Sequence, residues 1–149
     1  MAGFELTSDA FADGDRIPAR HSGEGEDRSP PLAWTAPPEG TRSLALVVED
    51  PDAPGGTFDH WLAWGIDPGR GRLGEGEPAP YSGNNGFGVD GYRGPMPPPG
   101  HGPHRYRFLL HALDAEIDLP SGVGRAELDA ALEGHVLATA ELVGTYERP

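Results

Sequence analysis

Gly91-Tyr-Arg-Gly-Pro-Met-Pro-Pro-Pro-Gly-His-Gly-Pro-His104-Arg-Tyr106-Arg-Phe108 is a loop that runs straight into a strand. Glycine opens its turns and proline stiffens them, and the apolar run that follows, to Leu113, has the length and content of a buried strand. From Gly91 to His111 there is no Asp or Glu, and there are three Arg and three His, in a chain of formal net charge −13. An acid-free loop of this kind presents backbone N–H groups and imidazoles to a small anion. The stretch therefore predicts a β fold with a binding loop at one end of a central strand.

Working outward, Arg42-Ser-Leu-Ala-Leu-Val-Val-Glu49 is a second continuous apolar run, and Asp59-His-Trp-Leu-Ala-Trp-Gly-Ile66 a third. Phe4 to Phe11 alternates loosely and suits a first strand, turned by Asp13-Gly-Asp. Residues 17–38 read as short extended pieces broken by proline, which cannot donate to a sheet ladder, and residues 67–103 as turns and loops. One helix is expected over Arg125–Glu133, where Leu128 and Leu132 lie i, i+4 on one face after Ser121 or Gly124. Val136 to Tyr146 reads as a final strand. Many short strands and one late helix predict an antiparallel, mainly β single domain over residues 1–149, a sandwich or barrel.

Composition narrows the function. The 149 residues suffice for one buried core, and the 23 Gly and 17 Pro read as turn chemistry between apolar runs. All of the 11 cations are Arg, and a pI near 4.6 argues against nucleic acid and anionic membrane surfaces as partners. Without cysteine there is no disulfide, thiol nucleophile or Cys-based metal site. No apolar run approaches the ~20 residues of a membrane span, so no integral membrane association is expected. The first residues lack the pattern of a secretory signal, which makes the expected location cytoplasmic.

Three side chains sit at the ends of the predicted central strands. Asp50-Pro-Asp-Ala-Pro54 follows the first of them: Asp50 and Asp52 either cap that turn or set a carboxylate at a pocket mouth. His60 and His104 open the other two. Charged imidazoles there attract an anion, whereas neutral ones accept a metal, with His101 as the further ligand such a site would need. Tyr106 alternates with Arg105 and Arg107, so it faces the side opposite to both, either as a core aromatic or beside His104. The glycine-rich segment from Asn84 to Gly94 lacks the ending of a P-loop, and no nucleophile elbow or His-Glu-x-x-His motif occurs.

Taken together, Asp50-Pro-Asp-Ala-Pro54, His60-Trp61, Gly91-Tyr-x-Gly-Pro-x-Pro-Pro and His104-Arg-Tyr106 resemble the phosphatidylethanolamine-binding protein family. More narrowly, with Ser29-Pro-Pro-Leu-x-Trp34 and the segment Glu133 to Tyr146, they resemble its bacterial and archaeal YbhB/YbcL branch, related to Raf kinase inhibitor protein. The resemblance spans nearly the whole chain. It implies a large central antiparallel sheet packed with a smaller one, one or two short peripheral helices, and an anion pocket at one end of the sheet. By that resemblance Asp50, His60, His104 and Tyr106 bind a phosphate or headgroup, with backbone donors around Gly94 and Pro95, while Asp52, Pro54 and Arg105 brace the loops. It implies a binding and regulatory protein, an inhibitor of a kinase or a protease, without cofactor, metal or catalytic residues. The alternative is a metal- or His/Asp-dependent hydrolase using the same pocket. The chain stops at Pro149, without the C-terminal helix of mammalian members; a pocket mouth left open in this way suits a homodimer.

Overall fold

The most apolar runs of the sequence become the middle of a five-stranded antiparallel sheet. The protein is described by a computed structural model over residues 3–149. In chain order its elements are β1 (Glu5–Thr7), β2 (Leu32–Thr35), β3 (Ser43–Asp50), β4 (Phe58–Ile66), β5 (Arg72–Leu73), β6 (Tyr81–Ser82), β7 (His104–Leu113), α1 (Arg125–Leu132) and β8 (Val136–Tyr146). The large sheet has the order β6-β4-β3-β7-β8 and the small one β1-β2-β5. β3 lies between β4 and β7, and all eight of its residues are buried. A strand covered on both faces has no solvent side, which is why its sequence is a continuous run rather than an alternating one.

The two faces of the large sheet carry separate cores. Leu44, Leu46, Val48, Trp61, Ala63, Tyr106, Phe108 and Leu110 pack against Leu6, Leu32, Trp34 and Leu73 of the small sheet. On the other face, Ala45, Val47, Leu62 and Trp64 meet Leu128 and Leu132 of α1, with Ile117, Leu119 and Val123 beside them. The Glu127 carboxylate accepts the Gly124 N–H at 3.1 Å and so caps the helix. An eight-residue helix is marginal alone. Burying two leucines, at about 1.5–3 kcal/mol each, is what holds it.

The first strand is shorter than the sequence pattern predicts. β1 ends at Thr7 because the Ser8 hydroxyl accepts the Ala10 N–H at 3.1 Å and turns the chain. Phe11, past that turn, still reaches the core and meets Phe108 with ring centroids 5.7 Å apart.

A bulge between β3 and β4 decides what faces the end of the sheet. Val48 pairs with Trp61 and Glu49 with Asp59, which leaves His60 without a residue opposite. One extra residue reverses the alternation of the bulged strand. Trp61 and Ala63 face the small sheet, Leu62 and Trp64 face the helix, and Asp59 also reaches the helix side, 2.7 Å from Arg125. His60 is thereby turned to the small-sheet side, its ring 5.2 Å from that of Tyr106.

Candidate ligand-binding site

Three strand ends converge on one rim. Asp50 ends β3, His60 lies at the bulge of β4, and His104 and Tyr106 share a face of β7. All four are buried and line one cavity of about 210 Å³. That volume lies below the ~300 Å³ at which drug-sized sites begin. It suits a headgroup-sized ligand.

The polar groups are ordered by their partners. Asp50 receives the Asp52 N–H on one oxygen at 2.7 Å and lies 2.6 Å from His104 Nδ1 through the other. A carboxylate only accepts, so His104 Nδ1 carries a proton and Nε2 is the nitrogen left for other partners. That nitrogen lies 2.6 Å from His101 Nδ1. His60 Nδ1–H donates to the Arg93 carbonyl at 2.7 Å. Burial pushes the His60 pKa down, although that carbonyl and Asp50 oppose the shift. A neutral His60 ring therefore offers the lone pair of Nε2. The Tyr106 hydroxyl is buried and makes no well-formed hydrogen bond to protein among the described residues; burial, and then the charge and acceptor oxygens of Asp50 close by, push its pKa up.

The remaining wall is apolar. Phe58 and Phe87 meet edge to face at 4.9 Å and enclose His60 at 5.1 and 5.7 Å, while Ala53, Pro54, Met96, Pro97 and Pro98 close the sides. Among the described residues no Arg, Ser or Thr lines the cavity, so any positive charge on its wall has to come from protonation of the imidazoles. Among the described residues no group of three or more His, Asp or Glu is arranged to hold a metal ion.

Other residues named from the sequence lie elsewhere. Arg105 grips Asp52 with Nε and Nη2, each at 2.9 Å, and with its N–H at 2.9 Å, outside the cavity wall. That hydrogen-bonded pairing lowers the Asp52 pKa to about 2. The structure does not bring Gly94 and Pro95 to the cavity. The Gly94 N–H is taken by Asp27 at 2.6 Å, and the Pro95 carbonyl accepts from Gly23 at 2.9 Å. A Cβ at Gly94 would stand 2.0 Å from the His21 carbonyl oxygen, so glycine is required for close backbone packing there. Pro54, expected to brace its loop, lines the cavity together with Pro97 and Pro98, and all peptide bonds among the described residues are trans.

Sequence reasoning passed over Phe58, Phe87, Met96, Pro97 and Pro98. Phe58 was within reach, since it lies two residues before His60 on the same strand. Phe87 was not. Asn85 aims it by accepting the Phe87 N–H at 2.9 Å and donating to the Gly91 carbonyl at 2.9 Å. The glycine-rich segment is thus tied by Asn85 into a turn that carries Phe87.

The match to known proteins covers the same ground. The sequence profile described as "Phosphatidylethanolamine-binding protein" matches residues 7–147. A UPF0098 protein of Pyrococcus horikoshii is 45% identical over 149 residues, covering 95% of this chain and 75% of that one. A Mycobacterium tuberculosis protein, LppC, described as a candidate lipoprotein, is 43% identical over 95% of this chain and 71% of its own length. Among solved structures, a phosphatidylethanolamine-binding protein homologue from Chlamydia trachomatis superposes with a TM-score of 0.94 at 39% identity, with 100% of both chains covered. Escherichia coli YbcL, described as a member of the mammalian family, superposes with a TM-score of 0.93 at 34% identity over 99% of this chain and 100% of its own. With a profile spanning almost the whole chain and relatives above 40% identity, the chain belongs to the phosphatidylethanolamine-binding protein family.

Proposed function

We propose that the protein binds a small monoanionic or zwitterionic group, a phosphate ester or phospholipid headgroup, and acts as a binding and regulatory protein rather than an enzyme. The observation that carries this reading is the buried, unpartnered Tyr106 hydroxyl, set beside His60 and His104 in a cavity of headgroup size. A buried hydroxyl without a partner is costly, and a ligand oxygen placed between these groups supplies one.

The charge state of the ligand follows from the same groups. Neutral His60 accepts, so a singly protonated phosphate can donate its P–OH to Nε2 while its oxygens accept from Tyr106. A dianion instead meets the Asp50 carboxylate and no fixed cation. A zwitterion such as phosphoethanolamine lowers that repulsion by adding an amine. The apolar wall of Phe58, Phe87 and Met96 suits a short aliphatic linker, and the volume is too small to enclose an acyl chain. For the hydrolase alternative the wall offers no hydroxyl or thiol nucleophile apart from the phenol.

An inhibitory action on a kinase or protease, a cytoplasmic location and a homodimeric state belong to this proposal. Among the described residues no helix is long and apolar enough to cross a membrane.

The test is a titration of the histidine ring nitrogens by NMR with phosphate, phosphoethanolamine and acetate, in wild type and His104→Ala. Saturable shifts at His60 and His104 that disappear in the variant are expected. Phosphoethanolamine should bind more tightly than the inorganic phosphate dianion. Ring signals indifferent to all three anions would defeat the reading.

A further inference from the structure

Beyond Met96, Pro97 and Pro98, which line the cavity, the proline-rich loop meets the site again through the contact of His101 with His104. His101 stands between Gly100 and Gly102, both left-handed, with φ of 74° and 82° and open space where a Cβ would lie. The loop base is fixed: the Gly100 N–H donates to the Arg148 carbonyl at 3.0 Å, and Arg148 Nε donates to the Pro97 carbonyl at 2.5 Å. The exposed imidazole is thus carried on a glycine swivel above an anchored base. It is placed 2.6 Å from His104 Nε2, the ring nitrogen that Asp50 leaves free.

We propose that His101 is a built-in competitor for the binding site, holding His104 Nε2 in the free protein and leaving when a ligand oxygen takes that nitrogen. A ligand atom hydrogen-bonded to Nε2 needs the position that His101 Nδ1 fills. The contact also depends on proton number. Facing His104 are Asp50 and Asp52 from the end of β3, Tyr106 on its own strand and His101 from the loop; Arg105 is engaged by Asp52. One proton between the two rings makes the bond, with either ring as donor. When both rings are charged, both nitrogens are donors and the bond is lost. Anion binding therefore releases the loop, because a ligand oxygen that accepts from His104 Nε2–H takes the place of His101 Nδ1.

The ligand-binding arm of the test rests on the proposed function; the loop arm does not. In the first arm, acetate and phosphate are titrated calorimetrically into wild type and His101→Ala. Losing one net hydrogen bond to the competitor should tighten binding by between about twofold and tenfold. Weaker binding by the variant would make His101 a ligand donor, and equal binding would make it a bystander; either result overturns the proposal. In the second arm, 15N relaxation is measured on the ligand-free proteins. Residues 99–102 of the wild type should be ordered at pH 7, with order parameters near ~0.85. In His101→Ala the same residues should be looser. A loop equally ordered with and without His101 refutes the competitor. If neither protein binds an anion while the loop responds as described, the proposed ligand class falls and the competitor stands.

Discussion

Replacing Tyr106 with phenylalanine removes one oxygen from the cavity and leaves the ring that packs on His60 and His104. That oxygen is buried and unpartnered in the free protein. A phenol pushed up in pKa by burial stays neutral throughout the physiological range, so it can act only through hydrogen bonding. An unpaired buried hydroxyl costs about 1–3 kcal/mol. The free variant should accordingly be more stable than wild type by about 1 kcal/mol, or about 3 °C in melting temperature for a domain of this size. The ligand-bound state shifts the other way. Losing a hydrogen bond worth about 1 kcal/mol weakens binding about fivefold. A ligand at about 100 times its wild-type Kd adds about 2.7 kcal/mol to wild type, and about 1.8 kcal/mol to a variant that binds fivefold more weakly. The stability advantage of Tyr106→Phe should thus almost vanish in excess phosphoethanolamine. Thermal scans with and without ligand, paired with calorimetric titration, measure both halves. A variant less stable than wild type in the free state, or equal to it in affinity, would refute the argument.

Acetate, which stays singly charged from pH 6 to 8, isolates the protein's own titration. His60 is held neutral by burial and a bound anion favours its charged form, so binding takes up a proton and affinity should fall as pH rises, by up to about tenfold per unit; a pH-independent Kd would contradict this. Gly94→Ala should cost about 3 kcal/mol, since its Cβ would meet the His21 carbonyl oxygen at 2.0 Å and Ser22 Cα at 2.8 Å, atoms of backbone that cannot step aside. A melting temperature within a degree or two of wild type would show that the loop relaxes. Asp52 has its pKa lowered to about 2 by Arg105, so the stability it contributes is complete above its unfolded value near 4 and is lost as pH falls toward 2. Asp52→Asn should flatten the stability profile in that window, and superimposable acid limbs would count against it.

The sheet was legible wherever burial leaves a long signature. β3 is apolar because neighbours cover both faces, β7 buries one face while Arg105, Arg107 and His111 lie on the more open one, and β8 alternates from Ala140 to Tyr146. Leu128 and Leu132 announced the buried face of α1. Two-residue strands such as β5 and β6 are too short to carry any period, and their pairing depends on chain segments far away. At the site, Asp50, His60 and His104 stood out by their places at strand ends and Tyr106 by its alternation with Arg105 and Arg107, while their joining in one ligand set came from the family resemblance. What brings His60 to the others could not be read this way, because a bulge belongs to the register between two strands and not to either one. Counting alternation along β4 alone puts His60 on the helix side, with Leu62. The loop donors were hidden in a similar way: Gly94 is read from sequence as backbone open to a ligand, but its N–H and its missing Cβ serve contacts with Asp27 and His21.

That reassignment changes how charge selects the ligand. With the Gly94 N–H bound to Asp27 and Arg105 held by Asp52, no permanent positive group among the described residues lines the cavity, inside a chain of formal charge −13. The surface field therefore repels the anion that the pocket receives, and only protons within the pocket reverse the sign. Repulsion of this kind acts over the screening length, about 8 Å at physiological ionic strength and about 30 Å at 0.01 M. Association of acetate should then speed up as salt is added, the reverse of a site fed by electrostatic steering. Its dissociation, governed by contacts inside the cavity, should change little. Line-shape analysis of the His60 and His104 ring signals across a chloride-free salt series separates the two rates. An association rate that falls with ionic strength would mean that a positive field reaches the mouth, and that Arg93 or Arg105, rather than the imidazoles, guides the ligand in.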